Sequence, residues 1–273
     1  MAMVINTNVG SLNATRQLDS SSRDLAVSME RLTSGKRINS AADDAAGMAV
    51  ATNMTTQIMG TDQAVRNAND GISMAQTIDG AAEEMTSMMQ RQRELAIQSL
   101  NGTYSAANRT AMDDEFNALS AELTRIASTT KFNGTAIMNT AVSTNIHVGW
   151  EDAAADSIAV TTIGGSAIAT AVTALGVDTS ANAALAITGL NTNLSTLSTA
   201  RSGVGAVQNR LDHTVANLQN LSENTSAARS NIQDADFAKE SANLARDQVL
   251  QQAGMSMLSQ ANQASQNVLT LLR

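Results

Sequence analysis

The chain predicts a mostly α-helical protein, a long antiparallel coiled-coil or bundle rod with a small β-hairpin or flap in the middle of the sequence. Three observations predict it. Among 273 residues there is no proline, so the strongest helix breaker is missing throughout. One Trp, one Tyr and three Phe leave the apolar content to residues suited to close helix-on-helix packing, of which Ala, Leu and Met are good helix formers. Apolar residues recur at spacings of three and four near both ends, the helical period.

The first helix carries the seam Val9, Leu12, Leu18, Leu25, Met29 and Leu32, and Ser34-Gly35 ends it. A second runs from about Asp43 to Leu100 with Val65, Ala68, Ile72, Ala75, Ile78, Ala82, Met85 and Met89 on one face. At about 1.5 Å per residue it would be roughly 85 Å long. Asn101-Gly102 separates it from a third helix that starts near Ser105 and is expected to end at Asn133-Gly134. From about 141 to 185 the composition shifts to Thr, Ala, Val, Ile and Gly. The β-branched runs Asn145–Val148 and Ser157–Thr161 read as strands there, while Ala167–Leu175 reads equally as short helix or strand. From about 186 the chain is helical again. Leu190, Leu194, Leu197, Val204, Leu211, Val215 and Leu218 fall on a heptad grid whose two remaining positions are Arg201 and Gln208. A last seam follows: Leu250, Ala253, Met257, Ala261, Ala264, Val268 and Leu271. A rod with unpaired seams at both ends is an assembly subunit.

The remaining features exclude other classes. Net charge is −8 and no Lys/Arg-rich run exists, so no nucleic-acid partner is expected. With no cysteine there is neither a disulfide framework nor a Cys-ligated metal. The first ten residues lack the basic-then-apolar order of a cleaved signal, and no run is apolar enough to span a membrane. His147 and His213 lie in different zones without ligand spacing around them, so neither metal nor cofactor is expected. Asp43-Asp44 and Asp113-Asp114-Glu115 read as charge complementing helix starts, not as catalytic dyads. No nucleophile or phosphate-loop constellation is present, so the chain is not an enzyme. The fourteen Met, among them Met85, Met88 and Met89, read as adaptable seam residues.

Several stretches resemble bacterial flagellins. Near the start these are Ile5-Asn6-Thr7-Asn8, Ser11-Leu12, Leu32-Thr33-Ser34-Gly35-Lys36-Arg37-Ile38-Asn39-Ser40-Ala41 and Asp43-Asp44-Ala45-Ala46-Gly47. Further on come Val207-Gln208-Asn209-Arg210-Leu211, Ala227-Ala228-Arg229-Ser230, Asp234-Ala235-Asp236, Gln251-Gln252-Ala253, Gln260-Ala261-Asn262-Gln263 and Leu271-Leu272-Arg273. Family members often carry Pro within the last helix. This chain reads Asn262-Gln263-Ala264-Ser265-Gln266 there, and its middle is short, as in a minimal flagellin.

The resemblance implies a secreted, extracellular filament subunit that polymerises with copies of itself. It implies residues 1–33 and 237–273 as an inner coiled coil and 34–45 and 230–236 as connectors. Residues 46–140 and 186–229 form an outer helical rod, 141–185 a short variable surface region, and a hairpin around 132–150 packs on the rod. Val9, Leu12, Leu25, Met29, Leu32, Leu250, Met257, Ala261, Val268 and Leu271 are the inner assembly residues. The implied partners are the flagellar export apparatus, a chaperone over residues 240–273, and the hook-associated junction and cap proteins. Arg91, Leu95 and Glu115 match the patch read by an innate-immune Toll-like receptor. Ser143, Thr144, Ser157, Thr161, Thr162 and Ser166 are expected to face outward as candidates for O-glycosylation. A hook–filament junction protein shares such ends, but the Gln-Asn-Arg-Leu and Ala-Ala-Arg-Ser segments favour the filament subunit.

Overall fold

The computed structural model describes the backbone of residues 7–271 and, Ala154 apart, the side chains of residues 7–263. In chain order the elements are α1 (Val9–Ser34), α2 (Ala45–Leu100), α3 (Ala106–Thr129), β1 (Lys131–Phe132), β2 (Thr135–Ala136), β3 (Ser143–His147), β4 (Ser157–Thr161), α4 (Gly165–Thr173), α5 (Ser180–Gln233) and α6 (Phe237–Leu271). The chain divides into two compact units, Met1–Thr56 with Asn224–Arg273, and Gln57–Glu223, and both α2 and α5 contribute to each.

In the first unit the helix ends are set by local chemistry. The Asn8 side chain accepts from the Ser11 amide at 3.1 Å to start α1, and Gly35, left-handed at φ 69°, stops it. Asp236 caps α6 by accepting from the amides of Ala238 (2.9 Å) and Lys239 (3.2 Å). Asp44 caps α2 through the Gly47 amide at 2.9 Å. A Cβ on Gly47 would lie 2.5 Å from Asp44 Oδ2 and 2.7 Å from Ile38 Cδ1, so a larger residue there would have to displace the capping carboxylate and the Ile38 side chain. Asp43 serves the preceding turn. Its carboxylate accepts from the amides of Ser40 (2.8 Å) and Asn39 (3.0 Å), and these bonds, Ser40's first, hold it below the usual carboxylate range.

Between these helices the two connecting segments pair. Lys36 and Asp234 form an antiparallel bridge, Arg37 N donates to Gln233 O at 2.7 Å, and Ala235 N donates to Gly35 O at 3.0 Å. From there α1 and α6 run antiparallel. Arg31 meets Glu240, Ser21 Oγ donates to Asp247 O at 3.3 Å, and Asn8 Nδ2 donates to Ala261 O at 3.0 Å.

The second unit is built on α2 and α5, also antiparallel: Asp62 bonds Ser222, Asp79 bonds Arg201, and Arg93 bonds Asn191. The buried face of α2 alternates small with long residues, Ala64, Ala68, Ala75 and Ala82 with Ile78, Met85 and Met89. The facing row on α5 is Leu190, Leu197, Val204, Leu211 and Leu218. Both rows are buried in one continuous hydrophobic core. Arg201, on the same grid, donates to Asp79 at 2.7 Å, and that bond raises the pKa of its guanidinium. α3 closes the unit with Phe116, Leu123 and Ala127. The buried Gln92 amide crosses to it, donating to Phe116 O (3.1 Å) and Ser120 Oγ (2.8 Å).

The middle of the chain differs from expectation in three ways and settles one reading left open. α3 ends at Thr129, and Asn133-Gly134 (φ 46° and 81°) instead forms the two-residue turn joining β1 to β2. Asn-Gly suits this left-handed pair better than any other dipeptide. In place of one hairpin around 132–150 there are two, the second pairing Ser143–His147 with Ser157–Thr161. Ala167–Leu175 falls mainly in a helix, α4. Finally, the segment is not all surface: Ile158, Val160, Ile163, Ile168, Val172 and Val177 join the core. The β3–β4 hairpin lies along α2. Asn67 Nδ2 donates to His147 O at 3.0 Å, Ile146 covers Gly71, and Trp150 sits over Gly60.

Two glycines of α2 should respond oppositely to alanine. Gly80 is exposed with nothing within 4 Å of a Cβ, so Gly80→Ala should stabilise by about 0.5–1 kcal/mol. At Gly60 the Cβ would lie 2.8 Å from that of Trp150. Gly60→Ala should therefore introduce overpacking of about 1–3 kcal/mol, offset in part by the same helix gain. It should also shift the emission of the sole tryptophan, and denaturant titration followed by fluorescence and circular dichroism checks both. For Asp43, the lowered folded-state value means that its contribution is present at neutral pH and lost as pH falls through the folded-state pKa. Asp43→Asn should flatten the acid limb of the melting-temperature profile below about pH 4.

Candidate assembly surface

The α1–α6 pair follows a heptad on each side. On α1, small residues Ala14, Ser21 and Ser28 recur every seven, with Leu18, Leu25 and Leu32 between them. On α6 the matching positions are Glu240, Asp247, Gly254 and Ala261, with Leu244, Gln251 and Leu258 between them. Ser21, Ser28, Glu240 and Asp247 are buried and the others half-buried. Gly254 lets α1 approach, since a Cβ there would sit 3.4 Å from Leu18 Cδ1. This seam is narrow and polar.

The large apolar side chains of the pair lie elsewhere. Val9 is 61% exposed, Leu12 58% and Met257 61%, and Met29, Val249, Leu250, Met255 and Phe237 are exposed as well. Of the residues expected to drive assembly, Leu25, Leu32 and Ala261 therefore face the partner helix of the same chain. Val9, Leu12, Met29, Leu250 and Met257 form outer faces, and the side chains of Val268 and Leu271 lie outside the described residues. Exposed apolar rows on paired helices mark an interaction surface, each such side chain being worth about 1.5–3 kcal/mol when fully buried. Sequence reading missed Val249, Met255 and Phe237. For Val249 and Met255 the signal was available, since they lie off the heptad positions that α1 uses; Phe237 continues the row of Leu244, Gln251 and Leu258 but stands at the first residue of α6.

In the second unit Arg91 and Glu115 come together, with 2.9 Å between Arg91 Nη2 and Glu115 Oε1 and a second contact to Glu94 at 3.1 Å. The hydrogen bond to Glu115, then that to Glu94, raises the guanidinium pKa. Leu95 does not join them at the surface. It is 2% exposed and packed in the core. Of the outward-facing hydroxyls expected, Ser143, Thr144 and Thr161 are exposed and Ser157 and Ser166 half-buried. Thr162 is a correction: it is buried, its hydroxyl bonded to Thr140 O and Val142 O at 2.8 and 3.0 Å, because it ties the segment before β3 to the end of β4. Asp113-Asp114-Glu115 lies inside α3, not at its start, and Asp113 accepts from the Val177 amide at 2.7 Å to anchor the loop before α5. His147 and His213 are exposed, and among the described residues no group of three His, Cys, Asp or Glu is placed to hold a metal. No described helix is long and apolar enough to cross a membrane.

Comparison with known proteins places these features. Residues 5–143 match the bacterial flagellin N-terminal helical region and residues 187–272 the bacterial flagellin C-terminal helical region. A flagellin of Halalkalibacterium halodurans is 44% identical over 272 residues, covering 99% of this chain and all of that one. The flagellar filament 33 kDa core protein of Treponema phagedenis is 38% identical, covering 99% of this chain and all of its own length. The crystal structure of Bacillus cereus flagellin superposes with a TM-score of 0.51 at 30% identity, over 56% of this chain and 88% of that one. A helical chain whose two ends pair, with apolar rows left outside the pair, is thus a member of the bacterial flagellin family, a structural subunit of the extracellular flagellar filament and not an enzyme.

Proposed function

We propose that the exposed apolar rows of α1 and α6 are the surfaces through which copies of this chain bury one another in the filament. The carrying observation is that Val9, Leu12, Met29, Leu250 and Met257 are exposed on helices already paired with each other. A helix with an unburied apolar face is marginal in water, because ordering the backbone costs about 1–2 kcal/mol per residue. Neighbouring copies supply the missing burial from several sides. Growth is then nucleated and cooperative, and contacts between unlike surfaces of successive copies extend into an open helix instead of closing.

On this reading 1–33 with 237–273 form the inner layer, 34–45 and 230–236 the connectors, 46–140 with 186–229 the outer helices, and 141–185 a segment whose apolar face joins the core while its exposed face, with Ser143, Thr144 and Thr161, is turned outward. The same marginal ends suit a chain delivered unfolded by the flagellar export apparatus, with a chaperone over 240–273 before export and the junction and cap proteins at the filament's two ends. The absence of cysteine and proline removes covalent and isomeric obstacles to such passage. Ser143, Thr144 and Thr161 are the hydroxyls best exposed for O-glycosylation. The exposed Arg91–Glu115 pair is the part of the receptor-like patch that a Toll-like receptor of a host could reach on a free subunit; Arg91→Ala should weaken capture by such a receptor.

Leu250→Asp with Met257→Asp should abolish elongation from filament seeds, seen by electron microscopy, while leaving the thermal transition of the second unit unchanged. Normal elongation of this variant would overturn the reading. The intact mass of filament protein reports glycosylation directly: a mass equal to the bare polypeptide removes it.

A further inference from the structure

We infer that Asn101-Gly102, in the turn between α2 and α3, is a self-modification site at which the Asn101 side chain deamidates through a succinimide. The chain holds two Asn-Gly pairs with the same residue after them, Asn101-Gly102-Thr103 and Asn133-Gly134-Thr135, and all of these residues are exposed. Their intrinsic reactivity is alike, so the fold sets the difference between them.

The Gly102 nitrogen gives up its proton and attacks Asn101 Cγ. The N–Cγ bond forms, the Cγ–Nδ2 bond breaks, and Nδ2 takes up a proton and leaves as ammonia. Water then opens the ring at either carbonyl, giving aspartate or isoaspartate, a carboxylate in place of a neutral amide. Each half of this reaction has its donor in the turn. Thr103 N donates to Asn101 Oδ1 at 3.1 Å, on the oxygen that gains negative charge as Cγ is attacked. The Asn101 backbone oxygen accepts from Arg109 Nη2 at 3.2 Å and from Tyr104 N at 3.4 Å. That oxygen shares its peptide group with the Gly102 nitrogen, so donors on it spread the charge that the nitrogen acquires on losing its proton. Arg109 is half-buried and fixed there by donating through Nε to Ser99 O at 2.9 Å. Nothing lies within 4 Å of a Cβ built on Gly102, which leaves room for the ring to close.

The second pair is placed differently. Asn133 (φ 46°) and Gly134 (φ 81°) form the turn that sets Phe132 opposite Thr135. Ring closure there takes the joining peptide out of this geometry and parts β1 from β2. Among the described residues, neither Asn133 oxygen has the donors that Asn101 has. Conversion is therefore directed to the α2–α3 turn, where each modified copy gains a negative charge beside Arg109.

The full-length chain is incubated in mildly alkaline buffer and digested at intervals. The peptides holding each Asn-Gly are followed by mass, and electron-transfer fragmentation separates isoaspartate from aspartate. In the folded chain Asn101 should convert about tenfold faster than Asn133, a modest gain for exposed donors facing developing charge. In denaturant the two rates should converge. Arg109→Gln, its helical content checked by circular dichroism, should slow Asn101 by about threefold or more and leave Asn133 unchanged. Gly102→Ala, whose Cβ meets open space, should slow Asn101 severalfold. No conversion at Asn101, conversion at Asn133 as fast in the folded chain, or an unchanged Asn101 rate in folded Arg109→Gln would overturn the inference. If Arg109→Gln loses its helices, the ratio of the two sites in the unaltered chain decides alone.

Discussion

The hydrophobic core shared by α2 and α5 is the constraint on which the second unit rests. Ala68, Ala75, Ile78, Ala82, Met85 and Met89 of α2 are buried in one cluster with Leu190, Leu197, Val204 and Leu211 of α5. Everything else in that unit is laid against this pair. Phe116 and Leu123 of α3 reach its core, the β3–β4 hairpin rests along α2 at Gly60 and Gly71, and α4 brings in Ile168 and Val172. Arg201 interrupts the leucine row with a charge answered by Asp79, a polar match that makes a shift of one helix along the other unfavourable.

The terminal pair is built on the opposite principle. Its internal seam is serine, glycine and two carboxylates, with leucines at only every other position, and its larger apolar side chains face away from the partner. On the assembly reading proposed above, such a pair gains more from being surrounded than from its own closure, in contrast to the apolar core of the second unit.

The helices were legible because their signals are strong and repeated. The absence of proline, the glycine after Ser34, the Asn101-Gly102 break and the leucine grid on α5 each mark a boundary or a face that tertiary structure keeps. The middle was legible only as strand-forming. Asn133-Gly134 serves equally as a helix stop and as a hairpin turn, and sequence alone does not say whether a partner strand waits on the other side. Ala167–Leu175, short and apolar, falls where helical and strand periods cannot be told apart. Leu95, one turn after Arg91 and only about 40° round the helix from it, sits on the boundary between the exposed face and the core, and position in a motif does not say on which side of that boundary a side chain falls. On α6 the sequence seam was read out of phase: Leu250, Ala253 and Met257 are exposed, whereas Gln251, Gly254 and Leu258 are the half-buried positions.

The bond from Asn8 to Ala261 joins residues 253 apart. Of the helices described, α1 emerges before the others and α6 after them, so the pair cannot form until everything between has been made. A polypeptide interrupted anywhere before Phe237 leaves α1 permanently single, so the contact doubles as a test of completeness, one that a broken copy cannot pass however well its middle has folded.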